Sequence, residues 1–174
     1  MAYIPYEIKI GNLLRAKSMK LVLAESCTGG LVGNLITNIA GSSDYYLGSV
    51  TAYAYEAKEA LLGVSHATLL QYGAVSRPTV LEMAIGVRRS LAGNIPLESI
   101  IGVSISGIAG PGGGLPGKPI GTVWFGLSSF QGDLAWLYHF HGDRIQNKRA
   151  AARTALKLVI AYLEGKLPSE TPGL

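Results

Sequence analysis

The chain has 174 residues, 48% of them hydrophobic and 15% charged, with 23 glycines. That is the length of one domain and the composition of a glycine-rich α/β protein, and it excludes a coiled coil or a disordered chain. A net charge of +4 without a basic, aromatic-interleaved stripe gives no reason to expect nucleic acid as a partner and favours small anions. One cysteine excludes an intrachain disulfide framework. The first residues lack the basic and apolar regions of a signal peptide, and no apolar run reaches the ~18 residues of a membrane span, so a cytoplasmic protein without membrane contact is expected.

Residues 6–17 carry Ile8, Leu13 and Leu14 at helical spacing and predict an opening helix despite Gly11. The apolar run 20–24 predicts a buried strand, and Leu31, Leu35, Ile36 and Ile39 recur at helical spacing just beyond it. Between them lies Ala24-Glu25-Ser26-Cys27-Thr28-Gly29-Gly30, three nucleophile-type side chains at a strand-to-helix turn. Unpaired first-turn amides there favour anions, and Gly29 and Gly30 lack the Cβ atoms that would hold a ligand off the backbone. Ser26 or Thr28 reads equally well as a plain N-cap.

Residues 41–44 predict a turn, 46–54 a strand, and 55–62 a helix of strong formers that places Lys58 in the first turns after a second strand-to-helix junction. Ser76-Arg77-Pro78 is a helix start, followed by one apolar face of Val80, Met83, Ala84, Val87 and Leu91. Residues 100–106 predict a fully apolar strand running into a glycine- and proline-rich loop over 108–119. Residues 120–129 and 134–141 read as strands joined by Gln131-Gly132-Asp133, an antiparallel hairpin, so the sheet is expected to be mixed. A last helix over 143–164 starts at the N-cap Asp143 and sets Arg149, Arg153 and Lys157 four apart on a solvated face; Gly165 ends it, and residues 165–174 are expected as a mobile tail.

The glycine loop contains two decoys. Gly112-x-Gly114-x-x-Gly117 matches the dinucleotide fingerprint, and Gly112 to Gly117-Lys118 nearly matches a P-loop. Both mechanisms need a helix starting at once, and Pro119 and a strand follow instead. A wall or lid over a site, with Lys118 as an anion contact, is one expectation; a merely long connection is the other. His139 and His141 share a strand face, yet with Cys27 and His66 they give no metal-ligand spacing, and no metal is expected. Arg144 follows the N-cap Asp143, where the helix dipole disfavours a cation, and that local cost invites a functional explanation. Ser26 with Lys58 is the pairing able to carry chemistry: a hydroxyl needs a base, and a buried lysine can be one.

Ala24 to Gly30, Ile39 to Ser43, Tyr53 with Glu56-Ala57-Lys58, Gly73 to Ser76, Ser104 to Pro111, Lys118 to Trp124 and Gly142-Asp143-Arg144 together resemble, in unbroken order over residues 8–162, the CinA C-terminal domain family of nicotinamide-nucleotide amidases. The resemblance implies a single-domain three-layer α/β/α sandwich over residues 1–164, in the form that stands alone. It also implies hydrolysis of the carboxamide of nicotinamide mononucleotide, with no metal or other cofactor. By motif, Ser26 is the implied nucleophile, Lys58 its base and Tyr53 an assisting group. Thr28, Gly29, Gly30, Ser106, Arg144 and Lys118 are the implied substrate-binding residues, the amides at 28–30 receiving the oxyanion. Arg144 reads either as a phosphate partner, a role Lys118 shares, or as the charge that keeps Lys58 neutral. Family members commonly self-associate, so a homo-oligomer is implied, with the hairpin aromatics available for its interface. A nucleotide-binding module using the same pocket without turnover is the alternative.

Overall fold

The computed structural model describes residues 4–172. The chain opens with α1 (Tyr6–Ala16), β1 (Lys20–Glu25), α2 (Leu31–Thr37) and β2 (Tyr46–Thr51). Three helices follow, α3 (Tyr55–Leu62), α4 (His66–Tyr72) and α5 (Arg77–Ser90), then β3 (Ile100–Gly107), the hairpin β4 (Thr122–Ser129) and β5 (Gly132–His139), and α6 (Arg144–Leu163). The five strands form one sheet in the order β2-β1-β3-β4-β5. β2, β1 and β3 are parallel, whereas β4 and β5 are antiparallel, so the sheet is mixed.

Strand alternation explains the layers, because successive side chains leave opposite faces. On β1, Leu21 and Leu23 join a core built with α1, α2 and α6, whereas Val22 and Ala24 join a second core with Leu62 of α3, Leu69 of α4 and Met83 and Val87 of α5. Buried on both sides, β1 and β3 read as continuous apolar runs, as parallel central strands do. α5 lies close on its face because two sheet positions are glycine: a Cβ on Gly102 would sit 2.4 Å from Ala84 O, and one on Gly126 2.4 Å from Val80 O.

The topology prepares a site. The crossover from β1 to β2 uses α2 on one face, and the return from β2 to β3 uses α3 to α5 on the other, so the chain reverses its direction of travel at β1. A crevice opens at such a switch point beyond the carboxyl ends of the strands. Register brings Glu25, Thr51 and Ile105 level there, so the next residues of all three strands emerge together.

Several elements differ from the sequence reading. α4 was not anticipated; it is short and leaves only Leu69 buried, too little periodicity to announce a helix. β2 stops at Thr51 rather than residue 54, because the carbonyls of Ala52 and Tyr53 turn to Lys58 Nζ instead of a ladder partner. The hairpin turns at Phe130-Gln131, since Gly132 already pairs with Ser129. Of the hairpin aromatics expected to be free for an interface, Trp124, Phe125 and Trp136 are core, and Phe130 is exposed. Within the expected tail, residues 168–171 bond to β5: Thr171 N donates to Ala135 O, Leu137 N to Thr171 Oγ1, Ala135 N to Glu170 Oε1 and Trp136 Nε1 to Pro168 O. Residues 173–174 of that tail, and 1–3 of the expected domain, lie outside the described residues.

Candidate active site

Ser26 leaves the end of β1, its amide donating to Ile105 O, and the chain turns into α2 across Cys27 to Gly30. Gly29 and Gly30 both have positive φ, 64° and 92°, which only glycine adopts without strain. The helix N-terminus is not open. Glu25, fully buried, reaches under the turn and takes its amides: Oε2 accepts from Gly30 N at 3.0 Å and Val32 N at 3.1 Å, and Oε1 from Gly33 N at 2.8 Å. A carboxylate here satisfies orphan donors and complements the helix dipole at once. Neither Ser26 nor Thr28 is the cap, and the Gly29 amide donates to Ser26 O. The oxyanion donors expected at Gly29 and Gly30 are therefore spent. The amides of Cys27 and Thr28, next to Ser26, donate to no carbonyl or carboxylate among the described residues, the Cys27 amide lying against its own sulfur.

Lys58 enters from α3, 1% exposed, with Nζ 3.1 Å from Ser26 Oγ. The same nitrogen donates to Ala52 O at 2.9 Å and Tyr53 O at 3.2 Å. A neutral amine has two N–H groups and one lone pair; two carbonyls use the hydrogens and leave the lone pair for the serine proton. Burial is the main cause that lowers the Lys58 pKa from 10.5 to about 8, opposed by the Cys27 thiol. Desolvation thus accounts for the lowering without a contribution from Arg144. Cys27, 5% exposed, is pushed up to about 12, again chiefly by burial, and stays a neutral thiol.

The cavity over this pair, of about 260 Å³, is lined by Ser26, Cys27, Tyr53, Lys58, Ser106 and Arg144 together with Gly107 at the end of β3 and residues 108–110 and 112–113 of the glycine loop. Tyr53 is 59% exposed at the mouth. Its hydroxyl accepts from Arg144 Nη2 at 2.9 Å, and Arg144 Nη1 donates to Gly110 O at 2.6 Å. One guanidinium thus ties the tyrosine to the loop, which accounts for a cation at the unfavourable end of α6. Ser106 is buried, its hydroxyl donating to Ala74 O at 2.7 Å, and it fixes the 74–75 wall.

Four expected residues line other recesses. Lys118 donates to Tyr72 O at 2.7 Å and lines a separate recess with Arg77 and Trp124. Thr28, Gly29 and Gly30 line another, facing Lys148 and Arg149. The glycine loop does continue into β4 without a helix, which excludes both phosphate-loop readings.

Two residues outside the expected site set hold the site together. Glu25 is one; an acidic residue ending a buried apolar strand is the signal that exposes it. The other is buried Asn147, whose Nδ2 donates to Ala109 O and Gly142 O while Oδ1 accepts from Gly142 N, joining the loop to α6. A buried asparagine on a helix's inner face is its signal. A larger groove of about 700 Å³ between α1 and α6 has Lys9, Lys157 and Glu164 among its lining and no serine, threonine or cysteine. Among the described residues no three His, Cys, Asp or Glu side chains gather as metal ligands, and no helix is long and apolar enough to cross a membrane.

Fold and site together define an α/β protein with a serine–lysine pair at the switch point of a mixed, doubly covered sheet. The chain belongs to the CinA C-terminal domain family, which it matches over residues 5–163. It is 44% identical over 150 residues to the nicotinamide-nucleotide amidohydrolase PncC of Shigella flexneri, covering 86% of this chain and 87% of that one. A CinA-like protein of Salinibacter ruber is 46% identical over 151 residues, 87% of this chain, and there the chain spans only 35% of the relative's length. Among solved structures, a CinA superfamily protein of Klebsiella pneumoniae superposes with a TM-score of 0.85 at 33% identity, over 92% of this chain and 96% of that one.

Proposed function

We propose that the protein is an amidohydrolase that converts nicotinamide mononucleotide to nicotinate mononucleotide and ammonia through an acyl-enzyme on Ser26. The observation that carries this reading is the contact between Ser26 Oγ and a buried lysine whose remaining hydrogens are already used by two carbonyls. Relatives named as nicotinamide-nucleotide amidohydrolases supply the substrate.

In the first half-reaction Ser26 Oγ gives its proton to Lys58 Nζ and forms a bond to the carboxamide carbon. The charge on the tetrahedral oxygen falls to the amides of Cys27 and Thr28, each worth roughly 3–4 kcal/mol in comparable sites. The C–N bond then breaks, the lysine proton leaves with the nitrogen as ammonia, and an ester on Ser26 remains. In the second half, water gives a proton to Lys58 and its oxygen attacks the ester carbon; expulsion of Ser26 Oγ, which takes the proton back, yields the carboxylic acid, which loses its proton to solvent as the carboxylate. Tyr53, braced by Arg144, flanks the entering ring. The binding-module alternative predicts that nicotinamide mononucleotide binds without ammonia release. Incubating the full chain with that nucleotide and measuring ammonia tests the reading: release that is lost in S26A supports it, and binding without release by the wild type contradicts it.

A further inference from the structure

The cavity above Ser26 has two cations in its lining: Lys58, the buried base, and Arg144, whose Nη1 and Nη2 each give one bond to a neutral acceptor, Gly110 O and Tyr53 Oη. Both are engaged in shaping the reaction centre, so cations for a phosphate at the far end of the substrate are sought in the two recesses that flank the cavity.

The first, of about 340 Å³, holds Arg77 and Lys118 beside Tyr72 and Trp124. Its cations are committed: Arg77 pairs with Glu170, and Lys118 donates to Tyr72 O. The second, of about 370 Å³, lies between the turn at Thr28-Gly29-Gly30 with Asn34 and the start of α6, where Ile145, Lys148 and Arg149 close it. It has two cations and no carboxylate in its lining. Neither Lys148 nor Arg149 makes an ion pair or a side-chain hydrogen bond among the described residues. Lys148 Nζ stands over the turn itself, 3.6 Å from the place a Cβ on Gly29 would occupy, and its charge is felt by the Cys27 thiol, one residue from the nucleophile.

The recess neighbours the reaction site: the turn after β1 contributes Ser26 and Cys27 to the cavity and Thr28, Gly29 and Gly30 to the recess. Arg144 and Lys148 are one helical turn apart on α6, so the same helix face that sends Arg144 to the Ser26 cavity sends Lys148 to this recess. The amides of the α2 start play no part, being bonded to Glu25. The attraction rests on the two side-chain cations, and Asn34 and a rotated Thr28 hydroxyl, buried without a partner, complete the polar lining.

We propose that this recess, with Lys148 and Arg149 as its cations, is the site for the phosphate monoester of the substrate, holding it while the amide meets Ser26 on the other side of the same turn. This rests on the amidase reading for the substrate, but the anion site itself does not. The test uses the full chain with inorganic phosphate as probe, followed by calorimetry or amide chemical shifts, beside steady-state kinetics on nicotinamide mononucleotide and on the riboside that lacks the phosphate. Loss of one charge-assisted contact weakens binding about tenfold. K148A is therefore expected to bind phosphate about tenfold more weakly and to raise KM for the mononucleotide by a similar factor, with kcat nearly unchanged. K148R is expected to restore both values, the riboside to be processed alike by K148A and wild type, and phosphate to compete with the mononucleotide. Unchanged phosphate binding and KM in K148A would overturn the proposal, as would phosphate inhibition that is not competitive, or a K118A chain that loses phosphate when K148A does not. If no variant releases ammonia but K148A still loses phosphate, the amidase reading fails and the anion site stands.

Discussion

Ser26 and Cys27 are adjacent, both line the cavity, and differ in what their surroundings do to them. Burial holds the Cys27 proton on sulfur, with a pKa near 12, while Lys58 stands 3.1 Å from the serine oxygen. S26A is therefore expected to lose turnover by a factor of about 10³ or more, and C27A to stay within a few-fold of wild type, measured as ammonia release. Lys58 must be neutral to act, so kcat/KM is expected to rise about tenfold per pH unit below pH 8 and to level off above it, following the lowered pKa of about 8. The same shift has a stability consequence whose sign is fixed. Between about 8 and 10.5 the unfolded chain keeps the lysine proton and the native chain does not, so wild-type stability gains with rising pH across that window, relative to K58M, in denaturant titrations. The Ser26–Lys58 pairing was legible in the sequence because both residues stand at strand-to-helix junctions. The amides that serve it were not, because whether a helix start is open depends on what lies beneath it, and Glu25 reveals its role only once its strand is seen to end inside the turn.

At the scale of the element, α2 depends on that carboxylate. It is seven residues long and its N-cap, Gly30, offers no side chain, so Glu25 supplies what local sequence does not. E25A strands three amides and is expected to cost about 2–4 kcal/mol in denaturant unfolding, with E25Q recovering part of it. A cost under 1 kcal/mol would mean that water replaces the carboxylate without penalty. α5 is placed by absence of side chain: G126A would set a Cβ 2.4 Å from Val80 O and is expected to destabilise the fold by roughly 1–3 kcal/mol. Periodicity made α5 and α6 readable, since each buries one continuous stripe, and the cap at Asp143 with Gln146 forms the reciprocal box that its residue types suggest. It could not reveal where β2 ends. Residues 46–54 have the composition of one strand throughout, and only the demand of Lys58 for two carbonyls pulls the last of them away.

Over the whole molecule, long-range pairing decides what composition leaves open. Alternating strands and helices announce an α/β fold, and the hairpin announces an antiparallel edge, yet the position of β1 between β2 and β3 comes from register and from helices passing on opposite faces. The tail reads as mobile because Pro, Ser and Glu carry no local preference for order; its partners are the edge atoms of β5, some thirty residues earlier in the chain. Removing residues 167–174 uncovers that edge, and the shortened chain is expected to melt a few degrees lower and to self-associate more in sedimentation. The most direct measurement on the central claim is acid-quenched mass spectrometry of the wild-type chain during turnover of nicotinamide mononucleotide. An ester adduct of the mononucleotide acyl group on the peptide bearing Ser26, absent from S26A, is the predicted result; turnover with the adduct on Cys27, or unimpaired in S26A with no adduct at all, would contradict it.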